Sequence, residues 1–201
     1  MLNHLAQGTE AHHAAADGDR LAIMENPTIE RYRAFVGRIY CFEAPVEAAC
    51  IATRGVPRGL LRTHLKTPRL AGDLEALKLP PSDTAQLPGR AFDSPAEALG
   101  WMWVLHRNTL LHGLIYRYLL GKLPDAMATA GDYLSAFEGR AGALMRELGD
   151  ALDATARRNV VTQQMVGAAT AAFRMQRQWY GCALLSPRRP PAPTRAPRQA
   201  A

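Results

Sequence analysis

Two adjacent histidines, His12 and His13, lie in the small-residue stretch GTEAHHAAADGDRL near the start of the chain. Imidazole nitrogens serve as metal ligands and as proton carriers near neutral pH. The spacing Glu10-x-x-His13 occurs in helical di-metal bundles, but such a centre needs a second Glu-x-x-His pair on another helix. No later histidine has a glutamate three residues before it. We therefore expect no di-metal centre.

A single histidine on a helix face of small residues suits the axial ligation of haem, in which one imidazole holds the iron from one side. The alanines around His13 would let a flat macrocycle lie close to the helix backbone. The alternative is that one of the two histidines is exposed and the other belongs to the core. The residues alone leave both interpretations open.

Other chemistries have little support in the sequence. It contains no glycine-rich phosphate loop, no Gly-x-Ser-x-Gly and no Cys-x-x-Cys. The three cysteines lack the spacing of metal ligands, and we interpret them as reduced, mostly buried thiols of a cytoplasmic protein. A Cys–His nucleophile pair stays open but unsupported.

The positive charge is concentrated at the end of the chain. The last sixteen residues, SPRRPPAPTRAPRQAA, contain four arginines and no acid, so without them the net charge falls from +6 to +2. We therefore expect no nucleic-acid partner. Polar residues interrupt the most apolar stretch, WMWVLHRNTLLHGLIYRYLL, which indicates that it does not span a membrane. The predicted organisation is one helical domain over residues 1–183 and a disordered Pro/Arg-rich tail over 184–201.

The apolar spacing is helical almost throughout, which predicts an all-α fold of about six to eight helices. The first helix should end near Asp17-Gly18. The second should begin after Asn26-Pro27, capped by Thr28 or Asn26, and Pro45 should kink or end it.

Ser94-Pro95-Ala96-Glu97 is a capping box that starts a buried helix reaching about Leu120. Short helices are expected at 58–65 and 68–77, and a loop at 79–93. Two further helices are expected at 125–152 and 155–180.

Several of these segments resemble the haem oxygenase family. In that family the first helix carries a threonine, the proximal histidine four residues later and an acid four residues beyond, a register that Thr9, His13 and Asp17 match. Further similarity covers YCFEAPVE (40–47), KTPRLAGDLEAL (66–77), ALGWMWVLHRNTLLHGLIYRYL (98–119) and AFRMQRQWY (172–180). The resemblance implies a single-domain haem-oxygenase-like helical bundle in which His13 ligates the haem iron.

The resemblance also implies an activity and partners. Haem b would be both cofactor and substrate, cleaved oxidatively to biliverdin, carbon monoxide and iron. Electrons would come from a ferredoxin, a flavodoxin or a reductase, and a bilin-binding protein could accept the product. The distal wall would include Asn108, Thr109 and Gly113 as the catalytic stretch.

The distal stretch departs from the family at its three glycine positions, which Arg107, Leu111 and His112 fill. These side chains would then line the cofactor. Its propionates could pair with Arg107, Arg117, Arg140, Arg146 or Arg177. His112 could instead reach the iron as a sixth ligand, which would block oxygen and give a carrier or sensor. A third possibility is an interaction module whose interior is filled by WMW (101–103).

Overall fold

Helices make up all the regular structure in residues 1–79 and 92–181, the parts of the chain that the computed structural model describes. The eleven α-helices of these ranges are α1 (Leu2–Gly8), α2 (Glu10–Leu21), α3 (Ile29–Ala52), α4 (Arg58–His64), α5 (Thr67–Ala76), α6 (Pro95–Asn108), α7 (His112–Lys122), α8 (Pro124–Ala130), α9 (Asp132–Ser135), α10 (Ala141–Thr155) and α11 (Asn159–Gly181). Two 3-10 turns, Ala22–Met24 and Thr109–Leu111, follow α2 and α6. The predicted all-α class is confirmed, while most of the predicted 79–93 loop and the predicted tail lie outside the described residues.

The most extensive helix contact joins α6 to α11. Gly100 makes this contact possible, because a Cβ atom there would lie 2.6 Å from the Met165 carbonyl oxygen and 2.8 Å from the Ala168 Cβ. Nearly every residue of α6 from Ala98 to His106 is buried, as its apolar sequence predicts. Around this pair, α2 packs on α11, and α3 packs on both α5 and α6.

Two helix starts agree with the sequence prediction. The Ser94 hydroxyl accepts a hydrogen bond from the Glu97 backbone N–H, which caps α6 as the capping box predicts. The Thr28 hydroxyl accepts from the Arg31 backbone N–H and caps α3. Both caps satisfy N–H groups that a helix leaves unpaired at its first turn.

The helices differ from the sequence prediction at three places. The helix with the histidines is broken at Thr9 and runs past Gly18 to Leu21, where its last turn places Arg20 in the core. The helix α3 continues past Pro45 to Ala52, with buried residues on both sides of the proline. The predicted helix at 125–152 is divided into α8, α9 and most of α10, with Gly139 in the left-handed region at φ 70° before α10. In the first two cases tertiary packing overrides a local glycine or proline signal. The third case is different, because the break coincides with a local signal at Gly139.

Candidate functional site

The imidazole of His13 lies between three helices. Its ring centroid is 6.0 Å from that of Trp103 on α6 and 5.5 Å from that of Phe173 on α11. The side chain is half-buried. The neighbouring His12 stacks on the same Phe173 ring at 5.9 Å with an interplanar angle of 19°. Both histidines thus contact Phe173, and only His13 also contacts α6.

Thr9 fixes one nitrogen of His13. The Thr9 hydroxyl donates its proton to the Leu5 carbonyl at 2.7 Å and lies 2.9 Å from His13 Nε2. Because a hydroxyl has a single proton, it acts as the acceptor towards His13, and Nε2 carries the hydrogen. The predicted spacing of Thr9 and His13 therefore brings the two side chains into contact although Thr9 precedes the first residue of α2, and the contact holds the ring in a defined tautomer.

The electrostatic surroundings keep His13 neutral. Burial lowers its pKa first, the guanidinium of Arg107 lowers it further, and Asp17 acts in the opposite direction. The net effect is a pKa below the ordinary histidine value. A neutral imidazole is the form that can ligate a metal or take up a proton.

A bidentate ion pair between Asp17 and Arg107 joins α2 to α6 one helical turn from His13. Arg107 Nη1 donates to Asp17 Oδ1 at 2.6 Å, and Nη2 donates to Oδ2 at 2.9 Å. The Arg107 guanidinium also lies 5.9 Å from the centroid of Phe173. The structure thus brings together four of the predicted cofactor-binding and metal-ligating residues, namely Thr9, His13, Asp17 and Arg107. We call these residues, with Trp103 and Phe173, the His13 site.

Two residues of the predicted catalytic stretch, Asn108 and Thr109, are hydrogen-bonded to residues of α11 and α6. Asn108 Nδ2 donates to Gln176 Oε1 on α11 at 2.8 Å, while Asn108 Oδ1 and Gln176 Nε2 are buried and have no partner among the described residues. The Thr109 hydroxyl donates to the His106 carbonyl at 2.6 Å. Thr109 and Leu111 bound the 3-10 turn that separates α6 from α7, and Gly113 follows in the first turn of α7. The α-helix is therefore interrupted where the family resemblance places the distal kink, although side chains occupy the family's glycine positions.

His112 belongs to a different group of side chains. Its Nε2 accepts a hydrogen bond at 2.9 Å from Nη2 of Arg20, and its ring centroid is 4.5 Å from that of Tyr133. Burial first, and then the positive charge of Arg20, holds its pKa well below the usual value. The predicted sixth-ligand nitrogen is therefore bonded to Arg20 in this conformation, and the structure does not bring His112 together with His13.

Arg20 is the centre of a buried polar network that sequence reasoning missed. Its members are Arg20, Glu43, Lys66, His112, Tyr133 and Tyr180. Arg20 Nη2 also donates to the Tyr133 hydroxyl at 2.9 Å, and Nη1 donates to the Tyr180 hydroxyl at 3.2 Å. Tyr133 in turn donates to Glu43 Oε1 at 2.9 Å. Although burial opposes the charge of Arg20, these oxygens raise its pKa.

The second cation of this network is Lys66. Its Nζ lies 3.0 Å from Glu43 Oε2 and donates to the Leu105 carbonyl at 2.8 Å. The sequence gives one indication of this network. Glu43, a charged residue in YCFEAPVE, occupies a position that the helical spacing of apolar residues places in the core. Nothing in the sequence pairs these residues, because their partners are far apart along the chain.

A histidine pair, His64 and His106, lies beside a small pocket between α3, α4 and α6. The Nδ1 atoms of His64 and His106 are 3.3 Å apart, so one ring donates to the other. The adjoining pocket, which Glu47 and Cys50 help to line, has room for about one water molecule. Among the described residues, no three His, Cys, Asp or Glu side chains are placed to hold a metal ion.

The His13 site fits haem in its chemistry but not in its present shape. A neutral imidazole beside aromatic rings and a nearby arginine is a suitable donor set for an axial ligand. However, Nε2 is bonded to Thr9, and the Asp17–Arg107 pair joins α2 directly to α6. A planar macrocycle could enter only after these contacts separate.

No protein-family model, curated protein or solved structure matches this chain. Within the described ranges, no helix combines the length and the apolar character that crossing a membrane requires.

Proposed function

We propose that the chain is a haem-binding protein in which His13 supplies the axial ligand. The observation that carries this proposal is the neutral, half-buried imidazole of His13 between Trp103 and Phe173. Haem bound there would supply an iron centre with redox and oxygen chemistry. The aromatic rings of α6 and α11 would form its apolar walls.

The roles of the two histidines follow from their contacts. His13 contacts both α6 and α11, whereas His12 contacts only Phe173 among the described aromatic rings. His13 is therefore the ligand of the proposal, and His12 is its matched control on the same helix.

The test is an absorption titration with hemin on the wild type and on His13→Ala and His12→Ala. We expect a saturable complex of one haem per chain in the wild type and in His12→Ala, and loss or strong weakening of it in His13→Ala. Far-ultraviolet circular dichroism should show equal helicity in all three proteins. Equal haem spectra in the wild type and in a folded His13→Ala would refute the ligand assignment.

Haem oxygenase activity is a second and more specific candidate. Its support is the break between α6 and α7 together with the buried, unpartnered Asn108 Oδ1, an acceptor that could order a water beside bound haem. In this proposal the protein is cytoplasmic, a ferredoxin, flavodoxin or reductase delivers the electrons, and a bilin-binding protein accepts the product.

Adding a reductant and oxygen to the haem complex separates the two candidates. Conversion to biliverdin, with carbon monoxide trapped by a reporter globin, would support the oxygenase. Haem that survives these conditions unchanged would leave a non-catalytic carrier or sensor. Asn108→Ala should then slow product formation without changing hemin affinity if the oxygenase proposal is right.

A further inference from the structure

We infer that the Asp17–Arg107 ion pair is a latch that holds α2 against α6 beside His13 and must open before a ligand as large as haem reaches the imidazole. This inference rests on the proposed function for the identity of the ligand, but the latch itself can be tested without one. It starts from the disagreement between a donor set that suits haem and a site in which Nε2 of His13 is already hydrogen-bonded and an ion pair joins α2 to α6.

The position of the pair makes it a latch. Asp17 lies one helical turn beyond His13 on α2, and Arg107 lies one turn beyond Trp103 on α6. The two helices therefore meet in successive layers, first through the rings of His13 and Trp103 and then through the ion pair. Opening the second layer is the direct way to separate the first.

The geometry favours the closed state. Both oxygens of Asp17 are bonded to Arg107, and the arginine side chain is only 14% exposed. Fork-to-carboxylate pairing of this kind is the strongest form of a charged hydrogen bond between side chains. The ring of Phe173 below the guanidinium limits its movement further.

The rest of α2 offers a matched ion pair. Asp19 Oδ2 lies 3.6 Å from Arg177 Nε on α11, and this arginine is 51% exposed. The Asp19–Arg177 pair also ties α2 to a neighbouring helix, but it is longer and does not involve α6. Asp19→Asn therefore removes an equal charge from the same helix without touching the latch.

The first test measures the rate at which diethyl pyrocarbonate modifies His13 in the ligand-free protein, by mass spectrometry of its peptides. The pH should lie well above the histidine pKa, so that changes in protonation do not contribute. We expect Asp17→Asn and Arg107→Gln to raise the rate about fivefold, the effect of losing one well-formed ion pair. Asp19→Asn should leave the rate unchanged, and the exposed His4 serves as the internal reference.

Equal His13 rates in the wild type, Asp17→Asn and Arg107→Gln would overturn the latch. So would an equal increase in Asp19→Asn, because the effect would then belong to α2 as a whole. These results are obtained without haem, so they decide the latch even if hemin does not bind.

The second test uses hemin and stopped-flow absorption. Asp17→Asn should raise the association rate constant by a factor similar to that seen in the modification experiment, whereas Asp19→Asn should not. Unchanged association in a variant whose His13 is more reactive would show that the latch does not control ligand entry. Absence of binding in every variant would refute the proposed function and leave the modification result standing.

Discussion

At the scale of single residues, two polar side chains of α2, His13 and Arg20, lie in different surroundings. His13 is half-buried and was recognisable in the sequence, because its partner Thr9 lies only four residues before it along the chain. Arg20 is fully buried, and its partners Tyr133 and Tyr180 lie 113 and 160 residues away. Local spacing can place a residue on a helix face, but it cannot state which distant side chains meet it there.

The buried network should depend strongly on the Tyr133 hydroxyl. This group accepts from Arg20 and donates to Glu43, so Tyr133→Phe leaves both charged groups short of a partner. We expect a loss of about 1 to 3 kcal/mol in the free energy of unfolding, measured by urea denaturation.

Tyr118→Phe is the matched control, since Tyr118 is a half-buried tyrosine on α7 outside the network. It should change the free energy of unfolding by much less. A loss in Tyr118→Phe as large as that in Tyr133→Phe would contradict the importance of the network.

The His64–His106 pair should make stability depend on pH. Burial, followed by Lys66 and His64, lowers the pKa of His106 to about 3, from an ordinary value of 6.5. Between these values the unfolded chain binds a proton that the folded protein does not. Stability should therefore fall as the pH falls below 6.5, by about 2 kcal/mol at pH 5 from this residue.

The measurement is the free energy of unfolding against pH for the wild type and His106→Leu. The difference between the two curves isolates this residue from the carboxyl groups that titrate nearby. Between pH 5 and 6.5 the free energy of unfolding should change less steeply with pH in the variant than in the wild type, by the slope that the binding of about one proton contributes. Replacement of the exposed His4 by alanine should leave the slope unchanged, and parallel curves for His106→Leu would contradict the prediction.

At the scale of helices, starts were predictable and several ends were not. The caps of α3 and α6 depend on residues within three positions of each other, so the sequence contains all the information they need. Whether a helix stops at Gly18 or at Pro45 depends on what its next turn would pack against. Both helices continue because Arg20 and the residues after Pro45 pack in the core. The local sequence pattern contains no information about this packing.

The α6–α11 contact gives a prediction for a single glycine. Gly100→Ala would place a methyl group against the backbone of α11, which can yield only by moving the helix. We expect a loss of about 1 to 3 kcal/mol in the free energy of unfolding by urea or thermal denaturation.

Gly121→Ala is the control, because Gly121 is an exposed residue of α7 and nothing lies within 4 Å of a Cβ at that position. It should be neutral or should stabilise the protein by up to about 1 kcal/mol, through better helix propensity. Equal effects of the two substitutions would show that the close approach of α6 and α11 is not maintained in solution.

At the scale of the whole molecule, the helix order brings the first helices against the last, since α11 packs on α1 and α2 as well as on α6. This arrangement places His13, Trp103 and Phe173 in one layer. The sequence predicted the all-α class and the residues of that layer on α2. It did not predict that Arg107 would face Asp17, because that contact depends on the packing of α2 against α6.

The assignment of His13 as the haem ligand is tested most directly by restoring its imidazole from solution. In His13→Ala a small cavity should replace the ring beside Trp103 and Phe173, and added imidazole should enter it, ligate the iron and restore the hemin binding that the substitution weakens. We predict that imidazole returns the absorption and electron paramagnetic resonance spectra of this variant to those of the wild-type complex, and that the His12→Ala complex has those spectra without imidazole. Wild-type spectra in His13→Ala before any imidazole is added would contradict the assignment.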